Sequence, residues 1–211
     1  GGDRMITRIG KHTVRHGDAL TLRGCIDKML DGGKVDIVYT DPPWQNLKYW
    51  QTLNKKMTSA IPLESVPSDI IFLQNVFRTC EQVLSSEGFM FVEYGLKGAG
   101  VVKDIVKENG FNLLLECNPT YTSQKRPLSL MIFSRQRATL PDGLGDAIDK
   151  TSNYKTLVTA TSFLDLHGKT FFDPCCGMGY TAQLAIDNGG TFIGNELNKA
   201  RLDRTIARLS K

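Results

Sequence analysis

The sequence predicts an α/β fold, a mainly parallel sheet with helices on both faces. Strand-like runs alternate with helix-like stretches along the whole chain, the pattern of a sheet built from crossover connections. A β-branched and aromatic run, Val35 to Thr40, stops at Asp41-Pro42-Pro43, because proline cannot continue a ladder. A glycine-containing loop, Asp173 to Gly179, lies between a strand-like and a helix-like segment, the position at which such sheets take ligands.

Taken in order, His12 to His16 reads as a short strand ending at Gly17-Asp18, and Leu20 to Leu30 carries apolar residues at helical spacing. Gln45 to Pro67 is polar, with too few periodic apolar positions for an element. A helix is predicted over Ser68 to Leu84, with Ile70, Leu73, Val76, Phe77 and Cys80 along one side, and Ser85 to Gly88 ends it. Phe89 to Tyr94 is a strand, Gly100 to Asn109 a helix closed by Gly110, and Phe111 to Cys117 a strand pairing with Leu128 to Ser134 as an antiparallel hairpin. Leu140 to Lys150 reads as a loop and Ser152 to Leu166 as a helix. Thr170 to Asp173 is a strand, Tyr180 to Asn188 a helix stopped by Gly189-Gly190, Thr191 to Gly194 a strand, and Asn198 to Leu209 a terminal helix.

The chain has 211 residues, 41% hydrophobic and 23% charged, and this size and composition predict one globular domain. No apolar run approaches the roughly 20 residues of a membrane span. Residues 1–4, a double glycine ahead of Met5, read as a remnant of recombinant expression, and the absence of a basic and then apolar leader predicts a cytoplasmic protein. The five cysteines are odd in number with no C-x-x-C pair, and the three histidines lack ligand spacing; neither a disulfide framework nor a metal site is expected. A net charge of +4 is mild, but its distribution is informative. Lys48, Lys55 and Lys56 occur with no acid between Gln45 and Ala60, and Lys125, Arg126, Arg135 and Arg137 with none between Cys117 and Leu140, so two connecting regions are locally basic.

The Asp173 loop lacks both the GK[ST] ending of a phosphate-binding loop and the full G-x-G-x-x-G of dinucleotide enzymes. Glu196, after the next strand, is placed to accept hydrogen bonds from two ribose hydroxyls. Loop and acid together predict a nucleoside-containing cofactor. Asp41-Pro42-Pro43-Trp44 is the more specific motif: two prolines fix the backbone and present a carboxylate and a large aromatic ring to one cleft. These residue types suit an aryl amine, whose lone pair is delocalised into its ring and attacks poorly. A carboxylate accepting one amino hydrogen, with a carbonyl on the rigid proline backbone, favours the pyramidal nitrogen. Trp44 would stack on a base taken out of its helix and present its π-face to a cation.

Asp41-Pro42-Pro43-Trp44, Phe172 to Gly179 and Gly194-Asn195-Glu196 together resemble the S-adenosylmethionine-dependent amino-methyltransferases acting on adenine. The resemblance covers nearly the whole chain and implies a Rossmann-like methyltransferase fold with an antiparallel terminal hairpin. It also implies a circularly permuted order of the β-class type, since the tetrapeptide precedes the cofactor loop. Carried over residue by residue, it makes Asp173, Pro174, Cys175, Gly177 and Gly179 the loop for the methionine moiety of S-adenosylmethionine. Glu196 becomes the ribose acceptor, Asp18 and Ala19 neighbours of the cofactor adenine, and Lys155 a residue near the methionine carboxylate. Thr156 stands where the family has proline, and Cys175 where it has phenylalanine. Asp at position 41 implies adenine N6 as the acceptor, since related tetrapeptides beginning with Ser imply cytosine N4.

Residues 45–67, with Lys48, Tyr49, Trp50, Lys55 and Lys56, are read as a substrate loop that holds phosphates and stacks bases; Lys125 and Arg126 are a second phosphate contact. Only a short linker, 136–151, occupies the interval where the family often carries a recognition insert, so sequence choice falls to short loops, a partner subunit or a homodimer. DNA is the expected substrate. RNA, and a non-catalytic nucleic-acid-binding subunit, are the alternatives.

Overall fold

The computed structural model describes residues 5–43, 68–121 and 126–211. Its strands are β1 (Ile6–Ile9), β2 (His12–His16), β3 (Val35–Thr40), β4 (Leu84–Gly95), β5 (Asn112–Cys117), β6 (Thr120–Tyr121), β7 (Arg126–Ser134), β8 (Thr170–Asp173) and β9 (Thr191–Glu196). The α-helices are α1 (Ile26–Leu30), α2 (Ser68–Val83), α3 (Ala99–Glu108), α4 (Leu144–Asp149), α5 (Asn153–Ala160), α6 (Tyr180–Asp187) and α7 (Lys199–Leu209). One sheet runs β1-β2-β9-β8-β3-β4-β7-β5, with β6 paired to β7. The five strands from β2 to β4 are parallel to one another, while β1, β5, β6 and β7 pair antiparallel.

β3 shows why both faces carry helices. From Ile37 onward its residues alternate with the period of two that a strand imposes: Val38 joins the apolar layer formed with α1, α2 and α3, whereas Ile37 and Tyr39 join the layer formed with α4 to α7. A strand buried on both faces reads as a continuous apolar run, as Val35 to Thr40 does. The Asp36 carboxylate accepts from Thr170 N at 2.9 Å, fixing the start of β8 beside β3.

Several boundaries depart from the sequence expectation. Leu20 to Leu30 is not one helix: Ala19–Gly24 is a 3₁₀ turn capped by Asp18, and only Ile26–Leu30 is α-helical. The Thr21 hydroxyl donating to Asp18 O, at 2.9 Å, and Gly24 favour the tighter, interrupted path. Ser85 to Gly88 does not end a helix in a loop but belongs to β4, whose register against β3 shifts between the Val35 and Ile37 pairs. Within Leu140 to Lys150, α4 replaces the expected loop, with Leu144 and Ile148 buried. α5 closes at Ala160 rather than Leu166, where the Thr161 hydroxyl turns back to Leu157 O at 2.7 Å. β9 extends through Asn195 and Glu196, and β1 and β6 are additions to the expected strands.

β7 pairs with β5 as expected, but it also pairs with β4 from Phe89↔Ser134 to Gly95↔Leu128. It is therefore an interior strand, and Leu130, Met131, Ile132 and Phe133 are all wholly buried. Truncating Ile132→Ala should cost about 2–5 kcal/mol through the cavity left behind. The same change at Leu113, half-buried on the outer strand β5, should cost clearly less; urea unfolding of the two variants measures the difference.

Candidate functional site

The parallel half of the sheet delivers one acid to its carboxyl edge from each of five successive strands. Asp18 follows β2, Glu196 ends β9, Asp173 ends β8, Asp41 follows β3, and Glu93 lies near the end of β4. The registers put His16 beside Glu196, Asp173 beside Gly194, and Thr40 beside Val92. Continuing the last pairing by one residue puts Asp41 level with Glu93.

The loop after β8 is held from both sides. Asp173 is buried and accepts from Cys175 N at 3.0 Å. Glu196 is buried, its Oε1 accepting from Gly177 N at 2.9 Å and its Oε2 from Asn198 N at 2.7 Å. Glu196 thereby joins the loop to the start of α7. Gly177 has φ +50° with open space where a side chain would stand, so a ligand can reach its backbone. Gly179 has φ +87° and is closed in: a Cβ there would come within 2.7 Å of Thr205 Oγ1 and 3.2 Å of Thr205 Cα. The first glycine leaves room and the second permits the close packing of α7 on the loop.

A buried polar network that the sequence reading missed ties this loop to Asp18. Asn195, 1% exposed, donates through Nδ2 to Gly17 O at 3.0 Å and Pro174 O at 3.2 Å. Its Oδ1 accepts from Arg15 Nη1 at 2.8 Å, and Arg15 also donates to Asp18 O at 3.2 Å and Thr21 Oγ1 at 2.6 Å. Asp18 Oδ1 accepts from Leu20 N at 2.9 Å, and Ala19 is buried beneath. The signal available in the sequence was an Arg in the strand beside Gly17-Asp18 and an Asn ahead of Glu196.

Burial dominates the electrostatics. It pushes Asp173 up to about 7, helped by the charge of Asp41 and opposed by hydrogen bonds such as that from Cys175 N. It also raises the thiols of Cys175 and Cys176, with the Asp173 charge adding to the shift in both. These cysteines are packing residues rather than nucleophiles. On the far side of Asp41, Tyr39 is buried and stacked on Phe91 with ring centroids 5.4 Å apart. Its hydroxyl lies against Glu93 without a hydrogen bond of normal geometry. Thr181 at the start of α6 donates to Tyr39 O at 3.0 Å, fixing the strand end just ahead of Asp41. Tyr121, 44% exposed, faces Asp41, Arg201, Tyr180 and Glu93.

Asp41 is exposed, Pro42 buried and Pro43 exposed. The structure therefore brings Asp18, Ala19, Asp41, Pro42, Pro43, Asp173, Pro174, Cys175, Gly177, Gly179 and Glu196 to one edge of the sheet. Lys155 lies exposed on α5, outside the hydrogen-bonded cluster formed by the described residues, while Thr156 beside it is buried and bonded to Thr151 Oγ1 at 2.9 Å. Arg126 is exposed opposite Tyr121 in the β6 to β7 register. Trp44, Lys48, Tyr49, Trp50, Lys55, Lys56 and Lys125 lie outside the described residues. Among the described residues no group of acids, histidines and cysteines could hold a metal ion, and no helix is long and apolar enough to cross a membrane.

No model of a known protein family and no curated protein matches the chain. Solved structures do match its fold. M1.HpyAVI superposes with a TM-score of 0.64 at 16% identity, covering 94% of this chain and 98% of the other, and it has also been crystallised with S-adenosylmethionine. TTHA0409 of Thermus thermophilus, itself assigned provisionally as a DNA modification methylase, gives 0.65 at 16% identity, covering 94% of each chain. The PvuII DNA methyltransferase, cytosine-N4-specific, gives 0.64 at 11% identity, covering 94% of this chain and 86% of the other. At this level of identity the shared property is the fold.

The Asn195 network predicts a structural penalty distinct from any ligand effect. Asn195→Ala leaves Gly17 O, Pro174 O and an Arg15 N–H without partners, and should destabilise the chain by about 1–3 kcal/mol or more. Urea unfolding without any added ligand measures it.

Proposed function

We propose that the chain transfers the methyl group of S-adenosylmethionine to the N6 amino group of adenine in DNA. The observation that carries this reading is the position of Asp41-Pro42-Pro43 at the end of β3, next to the strand that ends in Asp173 and its loop. An acid suited to an amine acceptor thus adjoins a buried acid and an open glycine suited to a cationic nucleoside cofactor. The fold shared with the PvuII DNA methyltransferase, and with M1.HpyAVI and TTHA0409, each solved with S-adenosylmethionine, supports the cofactor class.

The residues present fit that cofactor. Asp173 is a buried acid held near neutrality, and an α-ammonium group is the partner that would favour its ionised form. Gly177 leaves its backbone open, Glu196 would receive the ribose hydroxyls, and Asp18 with Ala19 would flank the adenine. Lys155 stands near α6 through its own helix, and its approach to the methionine carboxylate is part of the proposal. Bound S-adenosylmethionine supplies an electrophilic methyl on a sulfonium centre. Asp41 accepts one amino hydrogen of the acceptor base and the Pro42 carbonyl the other, which localises the nitrogen lone pair. Asp41 takes the proton released as the new N–C bond forms and passes it to water, since its carboxylate is exposed. Trp44 stacks on the base. Lys48, Tyr49, Trp50, Lys55, Lys56, Lys125 and Arg126 hold the nucleic acid through phosphates and stacking.

Aspartate at position 41 favours adenine. The likeness to the cytosine-N4-specific PvuII enzyme makes cytosine N4 the second reading, because both acceptors are amines beside a ring nitrogen. Incubating the chain with methyl-labelled cofactor and matched duplex DNA, single-stranded DNA and RNA, then separating nucleosides by mass spectrometry, tests both. The expected product is N6-methyladenine in DNA. N4-methylcytosine would move the acceptor, label only in RNA would move the polymer, and no label in any pool would overturn the function.

Asp41→Ala should lower methyl transfer by roughly 10²–10⁴-fold while calorimetry finds cofactor affinity nearly unchanged. Cofactor affinity should itself depend on pH. The ionised fraction of Asp173 rises with pH, so binding of the cationic cofactor tightens by about tenfold between pH 6 and 8 for a group titrating near 7. Asp173→Asn should bind weakly and show no such slope in the same titration.

A further inference from the structure

Glu93 has no part in the chemistry assigned to Asp41 and the Asp173 loop. It sits next to Asp41 across the β3 to β4 pairing, and it shares the face of the sheet occupied by Phe91 and Tyr39. At 9% exposure it is an acid nine-tenths buried at the sheet's carboxyl edge. Across the sheet its β7 partner is Leu130, which offers no charge. The titratable groups that face it are Tyr39 and Asp41 beside β3, Asp173 on β8, Cys117 on β5 and Tyr121 on β6. None of these is a cation, so among the described residues no ion pair compensates its burial.

We propose that Glu93 is a second acceptor-reading residue, whose carboxylic acid donates a hydrogen bond to the ring nitrogen beside the amino group while Asp41 accepts from that amino group. This rests on the amine-acceptor reading above. The pair forms a donor next to an acceptor, which complements the Watson–Crick edge of adenine, N1 accepting and N6–H donating. Guanine and thymine present a ring N–H beside a carbonyl oxygen and would set donor against donor and acceptor against acceptor, a mismatch that costs far more than a lost contact. Burial first, and then the charge of Asp41, push Glu93 up to about 8, which keeps its proton at neutral pH. The sign follows: donation is available below that value and is lost as pH rises through it. Cys117, raised to about 12 mainly by burial, and Tyr39 and Tyr121, both raised mainly by burial, keep their protons across this window.

The test compares the wild type, Glu93→Gln and Glu93→Ala at saturating cofactor, on duplexes carrying adenine or 1-deazaadenine at the target, with kcat/KM measured from pH 6.5 to 9.5. Wild-type activity on adenine should fall as pH passes 8, approaching about tenfold per pH unit. Glu93→Gln, which keeps a donor but cannot ionise, should show no such fall. The wild type should prefer adenine over 1-deazaadenine by about 5- to 100-fold, and Glu93→Ala should lose that preference. A carboxyl ¹³C resonance titrating near 8 and absent from Glu93→Gln is the readout that does not depend on turnover. Cofactor binding by calorimetry establishes that each variant is folded. Identical pH profiles for wild type and Glu93→Gln, or an undiminished adenine preference in Glu93→Ala, would overturn the role of Glu93 alone. A folded, cofactor-binding wild type that methylates no base would overturn the amine-acceptor reading and this inference with it.

Discussion

Five carboxyl groups crowded along one edge of a parallel sheet are the constraint around which the rest of this molecule is arranged. Parallel strands all end on the same side, so an acid at the end of each of β2, β9, β8, β3 and β4 creates a row of like charges. Such a row is unfavourable unless each member is hydrogen-bonded, exposed to water or kept neutral. The structure uses all three. Asp18 and Glu196 accept from backbone amides, Asp41 is exposed, and Asp173 and Glu93 hold protons more tightly than ordinary carboxylic acids.

This division has an energetic consequence. The folded chain binds protons at Asp173 and Glu93 that the unfolded chain releases near pH 4. Their burial costs least below that point, and the penalty grows as pH rises toward 7 for Asp173 and 8 for Glu93. A cationic ligand beside Asp173 would offset part of that penalty, linking occupancy by such a ligand to fold stability. The Arg15 to Asn195 network works in the other direction: built on two buried side chains whose charge does not change near neutral pH, it fixes the loops after β2 and β8 without a pH-dependent penalty of this kind.

The sequence made the parallel half of the fold legible because its strands are buried on both faces and its helices have one apolar side. Val35–Thr40 and Thr170–Asp173 have the predicted bounds, and α2 differs by one residue. What it did not reveal depended on partners distant in the chain. The apolar run Leu130 to Phe133 of β7 fits a strand buried on both faces, but which strand covers its second edge is set only by pairing with β4, distant in the chain. Helix α4 lies in a Gly- and Asp-rich stretch, where propensity argued for a loop and burial of Leu144 and Ile148 prevailed. The site was half legible. Asp41-Pro42-Pro43 and the Asp173 loop announce themselves by glycine and proline chemistry, whereas Glu93 and Asn195 sit inside strands among apolar residues, and nothing local marks them as more than polar interruptions.

β4 is the strand on which the two halves of the sheet meet, parallel to β3 on one side and antiparallel to β7 on the other. Glu93, near its carboxyl end, therefore lies beside the antiparallel extension, where β6 and β7 carry Tyr121 opposite Arg126 and Tyr121 faces both Asp41 and Glu93. Asp173 and Glu196 adjoin a loop backed by α6 and α7, with Thr205 of α7 packed against Gly179. On the side of Asp41 and Glu93, by contrast, the neighbouring element among the described residues is β6, whose Tyr121 faces both acids. The proposed reading sets one fixed ligand beside the helix-backed loop and the polymer beyond Asp41, with the reacting groups on strands, which hold groups more precisely than loops do. On the proposed reading, Asp41 and its neighbour Glu93 at strand ends would recognise the reacting base, separately from the groups that hold the chain carrying it.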